Sequence, residues 1–370
     1  MFGLSDLMAE RGFESIHSGH DKLPRDSAVK RGIKKVVGAF GFTKTYNFVL
    51  YTITVGALVG FVLARLEYLN VGGVFLAKAI PGEAYHYTHG HRRIGITIHL
   101  IGVLFGGLLA ALQFTPIIRH KALWLHRISG YAATTLLLLG NAGAFMIMDT
   151  SIGGAPAMRV WFGLLGAATT LGLILAVTNI KRLQIDAHRA WMIRVWSWAA
   201  CIVSLRLLLL AGMHVVRVYG VELVTALRCD EIFSMYTINA GIPDAQNPAG
   251  LIYSECGAGA KTSAVQVLVS SLGTGPESSA AALRPLFLMA AWLALAIHGS
   301  LAELYLWLTP AESYRLRVVS YQRQVARGWR KAGDGKDAGL TSTRLGDAPA
   351  WWSLPAEEQI KILAGERIAA

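Results

Sequence analysis

Five histidines of this chain, His99, His126, His188, His214 and His298, fall in or beside long apolar runs. Imidazole is a common ligand for metals and haem iron, and it titrates near neutrality. Two imidazoles on facing helices can hold an iron porphyrin between them, and two such pairs stacked along the membrane normal would carry electrons across. Depth along the spans suggests His126 with His188 as an inner pair and leaves a possible outer pair among His99, His214 and His298. Arg127 and Arg189 directly follow the inner histidines, where guanidinium groups would pair with haem propionates or with an anionic electron donor. A plainer reading stands beside this one. His-Arg at a helix start also satisfies the positive-inside rule, and a histidine in a helix interface can simply bond a neighbouring carbonyl.

Other polar residues in apolar surroundings need partners. A charge at the bilayer centre costs roughly 2.5–3.5 kcal/mol on insertion scales. Arg194 and Arg206 lie within an apolar run, and Glu303 is the clearest acid within a span, with Asp186 at a rim. An arginine–carboxylate clamp is the plain expectation, for Arg206 above all; a proton path through Glu303 and His298 is the sharper one. Gln113 and Asn141 complete the expected polar interior. In YHYTHGHRR, His86, His89 and His91 have the spacing of a surface metal site but lack a clear fourth ligand, and they equally suit an aromatic membrane interface. Cys229 and Cys256 fall in one long polar segment and read as a disulfide or as two free thiols, while Cys201, inside a span, reads as a packing residue. No phosphate-binding loop, HExxH or defensible Ser-His-Asp order is present.

The elements that must position these residues are membrane helices. Hydrophobic residues make up 54% of the 370 positions, and six runs reach the roughly 20 residues that cross a bilayer core, at 46–69, 94–114, 128–148, 157–180, 190–213 and 285–308. The expected fold is an all-α membrane protein whose spans two to five form an up-down four-helix bundle, because their connections are short. The parts are a cytoplasmic segment 1–45, spans one to five over 46–213, an outer segment 214–284 with little regular structure, span six over 285–308 and a basic tail 309–370. The net charge of +12 is read as membrane topology rather than nucleic-acid binding. Lys30, Arg31, Lys34, Lys35, Lys44, Arg119, Lys121, Arg127, Lys181, Arg182 and Arg315 fall on one side if six spans alternate, which puts both termini in the cytoplasm. Met1–Gly41 has no cleavable leader pattern, so span one is expected to anchor uncleaved. Gly102, Gly106 and Ala110 in span two, and Gly130, Ala133, Leu137 and Asn141 in span three, form small-residue faces that turn His99 and His126 into a helix interface. In the tail, a loose linker at 332–339 precedes a candidate interfacial helix with Trp351, Trp352, Leu354, Ile360, Ile362 and Leu363.

With these motifs in view, the chain resembles a family of integral membrane proteins of unknown function found in bacteria and fungi. The matching residues are IHL around His99, QF at Gln113–Phe114, LHRISGY at Leu125–Tyr131, DAHRAWMIRVW at Asp186–Trp196 and SLRL at Ser204–Leu207. PGEAYHY at Pro81–Tyr87, NIKRLQIDAHRAWM at Asn179–Met192 and LTPAESYRLRVVSYQRQ from Leu308 are similar to its fungal branch. The resemblance spans most of residues 80–325 and implies no particular activity. A more distant likeness, in histidine placement and helix number, is to transmembrane di-haem cytochromes b of the ascorbate-dependent reductase type. It implies haem b on His126, His188, His99 and His298, and a haem-binding oxidoreductase that passes electrons between a small-molecule donor and the opposite side. The rival expectations are a non-redox carrier or scaffold with a structural His/Arg network, and a membrane enzyme that holds a lipophilic substrate near His99, Gln113 and Arg194.

Overall fold

The computed structural model describes residues 28–257 and 265–331, so the tail linker and the Trp351–Leu363 helix lie outside the described residues. The described chain is mostly helical, with six helices long and apolar enough to cross a membrane. A basic helix α1 (Ala28–Ala39) precedes the first span, α2 (Thr45–Arg65). The second span is α3 (Gly90–Gln113); a short helix α4 (Pro116–Lys121) leads to the third, α5 (Leu123–Ile147). The fourth is α6 (Pro156–Lys181) and the fifth is α7 (Ile185–Tyr219). After strand β1 (Val224–Arg228), helix α8 (Cys229–Ser234) and strand β2 (Gln266–Ser270) comes the sixth span, α9 (Pro276–Leu308), then α10 (Pro310–Ala326). Short connections alternate spans two to five, and the bundle has an entry end, where α2 begins, and a cap end.

Sequence neighbours pack on one another: α3 on α5, α6 on α7, and α9 on α7, with α2 against α3. The tightest contact is between α3 and α5. A Cβ placed on Gly102 would stand 2.6 Å from the Gly140 amide nitrogen and 2.7 Å from its Cα, and one on Gly143 would stand 2.6 Å from the His99 nitrogen. Backbones come this close only where side chains are missing, which is how membrane helices gain van der Waals contact without a hydrophobic drive. Asn141 ties α5 to α6 by donating to Thr169 Oγ1 and Thr170 Oγ1, both at 2.9 Å.

Helix α7 has 35 residues and α9 has 33, about 50 Å each and well beyond a hydrocarbon core of about 30 Å. Their overrun at the cap end carries the segment expected to have little regular structure. The segment is instead a folded cap. Strands β1 and β2 pair antiparallel from Val224↔Ser270 to Arg228↔Gln266, and Cys229 and Cys256 are joined by a disulfide. Leu227, Ile232, Met235, Val267 and Val269 form its core against Ala280 and Ala281 of α9. Pro285 sits inside α9 and has no N–H for the Ala281 carbonyl; the Thr225 hydroxyl of β1 donates to that carbonyl at 2.9 Å instead. The cap thus repairs a break in the helix it stands on.

Candidate functional site

At the entry end, the start of α7 places His188 beside α6. Its Nδ1 donates to the Ala176 carbonyl at 2.9 Å, which leaves the lone pair of a neutral ring on Nε2. His126, in the first turn of α5, lies near enough to His188, Arg119 and Arg127 for their charges to interact. The His126 Nδ1 is buried and has no hydrogen-bond partner among the described residues. Arg127 is exposed. Arg189 reaches the junction of α9 and α10, donating to Thr309 Oγ1 at 3.3 Å over the Tyr305 ring. Arg119, on α4, is the residue that sequence reading left among the topology charges. Its charge interacts with those of Glu312, Arg315 and Arg189, and partial desolvation together with the two arginines holds its pKa below the usual arginine range against the pull of Glu312. It is carried by α4, a short helix between spans that the apolar pattern does not mark, and it is exposed.

The histidines of the expected outer pair each bond within the protein. His99 donates from Nδ1 to the Gly140 carbonyl at 2.9 Å, inside the α3–α5 contact. His298 is committed to α7 at both ring nitrogens: Nδ1 donates to the Ser197 carbonyl at 2.8 Å, and Ser204 donates to Nε2 at 2.8 Å. Ser197 returns a bond to the His298 carbonyl at 3.0 Å, so this histidine is a helix–helix fastener. His214 is exposed.

The intramembrane charges resolve differently from expectation. Arg194, not Arg206, takes Glu303, through two bonds of 2.6 and 2.9 Å, and also lies over the Trp191 ring. This pair joins α7 to α9, and Glu303 and His298 have separate partners. Arg206 lies over the Phe287 ring, with its Nε buried and unpartnered among the described residues. Gln113 donates to Ser129 Oγ at 2.6 Å, fastening α3 to α5. Arg194→Leu should lower the melting temperature in detergent more than Arg194→Leu/Glu303→Leu does, because the single change strands a carboxylate and the double change removes both charges. Equal losses would mean that the two side chains act only by packing.

The most completely buried ionic group lies at the cap end. His86 Nε2 is 3.0 Å from Glu231 Oε1, and Arg284 donates to Glu231 Oε2 at 2.9 Å. Glu83 receives the Gly153 amide at 3.1 Å and the Tyr87 hydroxyl at 3.3 Å. Ile152 and Gly153 are both left-handed, with φ of 53° and 74°, and this turn aims successive N–H groups at the Glu83 carboxylate. Burial would raise the Glu231 carboxyl, but His86 and Arg284 outweigh it and hold it below its ordinary value; for Glu83 burial prevails and pushes it up. Exposed His89 and His91 do not join buried His86, and among the described residues no group of three or more His, Cys, Asp or Glu could hold a metal ion. His86 instead belongs to a buried latch between the segment after α2, the α5–α6 connection, the cap and α9. Only Glu83 and His86, in PGEAYHY, had a motif to mark them.

These features define a six-helix membrane protein with a folded cap on one face. Residues 96–236, from span two into the cap, match the model of a family described as Predicted membrane protein (DUF2306). Comparison with curated proteins and with solved structures gives no match.

Proposed function

We propose that this integral membrane protein holds one haem b at its entry end, between His126 on α5 and His188 on α7. The observation that carries the reading is the buried, unpartnered Nδ1 of His126 beside a histidine whose Nδ1 is pinned to a carbonyl. A buried ring nitrogen is costly to leave unsatisfied, and fixing one nitrogen of an imidazole on a carbonyl orients the other toward a ligand. Haem bound there would supply one-electron redox chemistry. His188 would ligate through Nε2, Ala176 would hold its ring, and Arg119 and Arg189 would bind propionates or an anionic electron donor. The likeness to di-haem cytochromes b is here taken at the His126–His188 site alone, since His298, the expected partner of His99, is engaged at both ring nitrogens. Taking the entry end as cytoplasmic follows the positive-inside rule, and the PGEAYHY and LTPAESYRLRVVSYQRQ motifs favour the fungal branch of the family.

Protein expressed with haem supplied should show a Soret band and reduced-minus-oxidised peaks, and His126→Ala and His188→Ala should each abolish them. His298→Ala should keep the colour while lowering the melting temperature. A colourless wild type ends the haem reading. The second reading, a carrier or a lipophilic-substrate enzyme with a structural His/Arg network, is favoured by how fully His298, Asn141 and Arg194 are satisfied by the protein itself.

A further inference from the structure

Helix α1 is separated from the first span only by residues 40–44, and both are held to the entry end. Ile117, in the first turn of α4, donates its N–H to the Phe40 carbonyl at 3.1 Å, and a Cβ on Gly41 would stand 2.8 Å from the Ile117 nitrogen. Phe40, Phe42, Phe48 and Tyr51 cluster at this corner, with ring centroids 5.1–6.4 Å apart. Exposed aromatic side chains mark the bilayer surface at the same level: Tyr46 in the first turn of α2, Trp124 in the first turn of α5 and Trp307 at the end of α9. So α1 ends where the headgroups are.

Its sequence fits that place. Ile33, Val36 and Phe40 lie at helical spacing on one side and are 46%, 50% and 41% exposed, while Val37 is buried. Lys34 and Lys35 project from other sides, Lys30 and Arg31 precede them, and the first turn contains no acid. An apolar stripe open to the surroundings, with a basic face beside it, is the pattern of a helix that lies in a membrane interface. We infer that α1 lies flat in the headgroup layer of the entry-end leaflet, with Ile33, Val36 and Phe40 in the acyl boundary and its lysines on anionic lipid. The charge decides the occupant. A second copy of α1 against the same face would bring two clusters of basic residues together, whereas anionic headgroups neutralise them.

The test uses the full chain in bilayer nanodiscs, with a nitroxide label on Ile33→Cys or Lys35→Cys, in phosphatidylcholine alone or with a quarter phosphatidylserine. Oxygen should reach the label at 33 more than a water-soluble nickel chelate does, and the order should reverse at 35. Phosphatidylserine should strengthen the contrast at 33, and each of Lys34→Gln and Lys35→Gln should cut the ratio of surface-bound to released helix about fivefold. Equal nickel access at 33 and 35 in both lipids would put α1 in water and overturn the proposal. So would spin–spin broadening at 33, which would mean a second copy covers the face, or a contrast indifferent to lipid charge. A haem-free wild type would leave these outcomes unchanged, so this test is independent of the proposed haem site.

Discussion

Gly102→Val should uncouple α3 from α5 and lower the melting temperature more than any other single change in the spans. The added side chain has nowhere to go. Its Cβ alone would stand within 2.7 Å of the Gly140 Cα, and the Leu136 carbonyl is closer still. These are backbone atoms, so no rotamer change can relieve the clash; the helices must separate. Overpacking a tight core costs about 1–3 kcal/mol even where side chains can shift. Separation would also break the bond from His99 to the Gly140 carbonyl and the one from Gln113 to Ser129. Gly56→Val is the matched control, because a Cβ there meets nothing within 4 Å. Detergent melting of both variants should show a large loss for the first and almost none for the second. Similar melting of the two would contradict the close approach of α3 and α5.

Arg284→Ala should have the next largest effect, and the loss should depend on pH. Arg284 and Glu231 are both buried, and removing one partner of such a pair typically costs about 3–5 kcal/mol. Here the carboxylate would keep only His86, and Glu83 would lose the guanidinium that offsets its burial. The sign for Glu231 follows from its lowered folded pKa. Its contribution is present above the ordinary value of 4.5 and fades as pH falls through the lower folded value. Glu83 works the other way: its raised folded pKa contributes stability that is present below 4.5 and lost as pH rises through the folded value. The wild type should therefore lose cap stability in acid as Glu231 protonates, with Glu83 partly opposing the change. In Arg284→Ala the acid-dependent loss should shrink, because much of it is already gone at neutral pH. Melting curves at pH 7 and pH 4 read this directly. A variant that melts like the wild type at pH 7 would show that the latch holds nothing.

Hydropathy alone was enough for the membrane class, the six spans and their alternation, because the need to satisfy every backbone group in hydrocarbon leaves helices as the solution for long apolar runs. The small-residue face of span two was legible at Gly102, but Gly140 and Gly143, where the α5 backbone meets α3, lie off the face read for span three. The cap was not legible. VTALR and QVLVS are five-residue strands whose partners lie some forty residues apart, and their shelf exists only because α7 and α9 outrun the bilayer. Which arginine meets Glu303, and which histidine is already satisfied, also waited on the tertiary structure. Periodicity gives the face of one helix but not the rotation of its neighbour, and a ring such as His298 becomes a fastener only when Ser197 and Ser204 arrive from α7. The latch of Glu83, His86, Glu231 and Arg284 draws on segments some two hundred residues apart, and what selects those four is the burial that only their meeting creates.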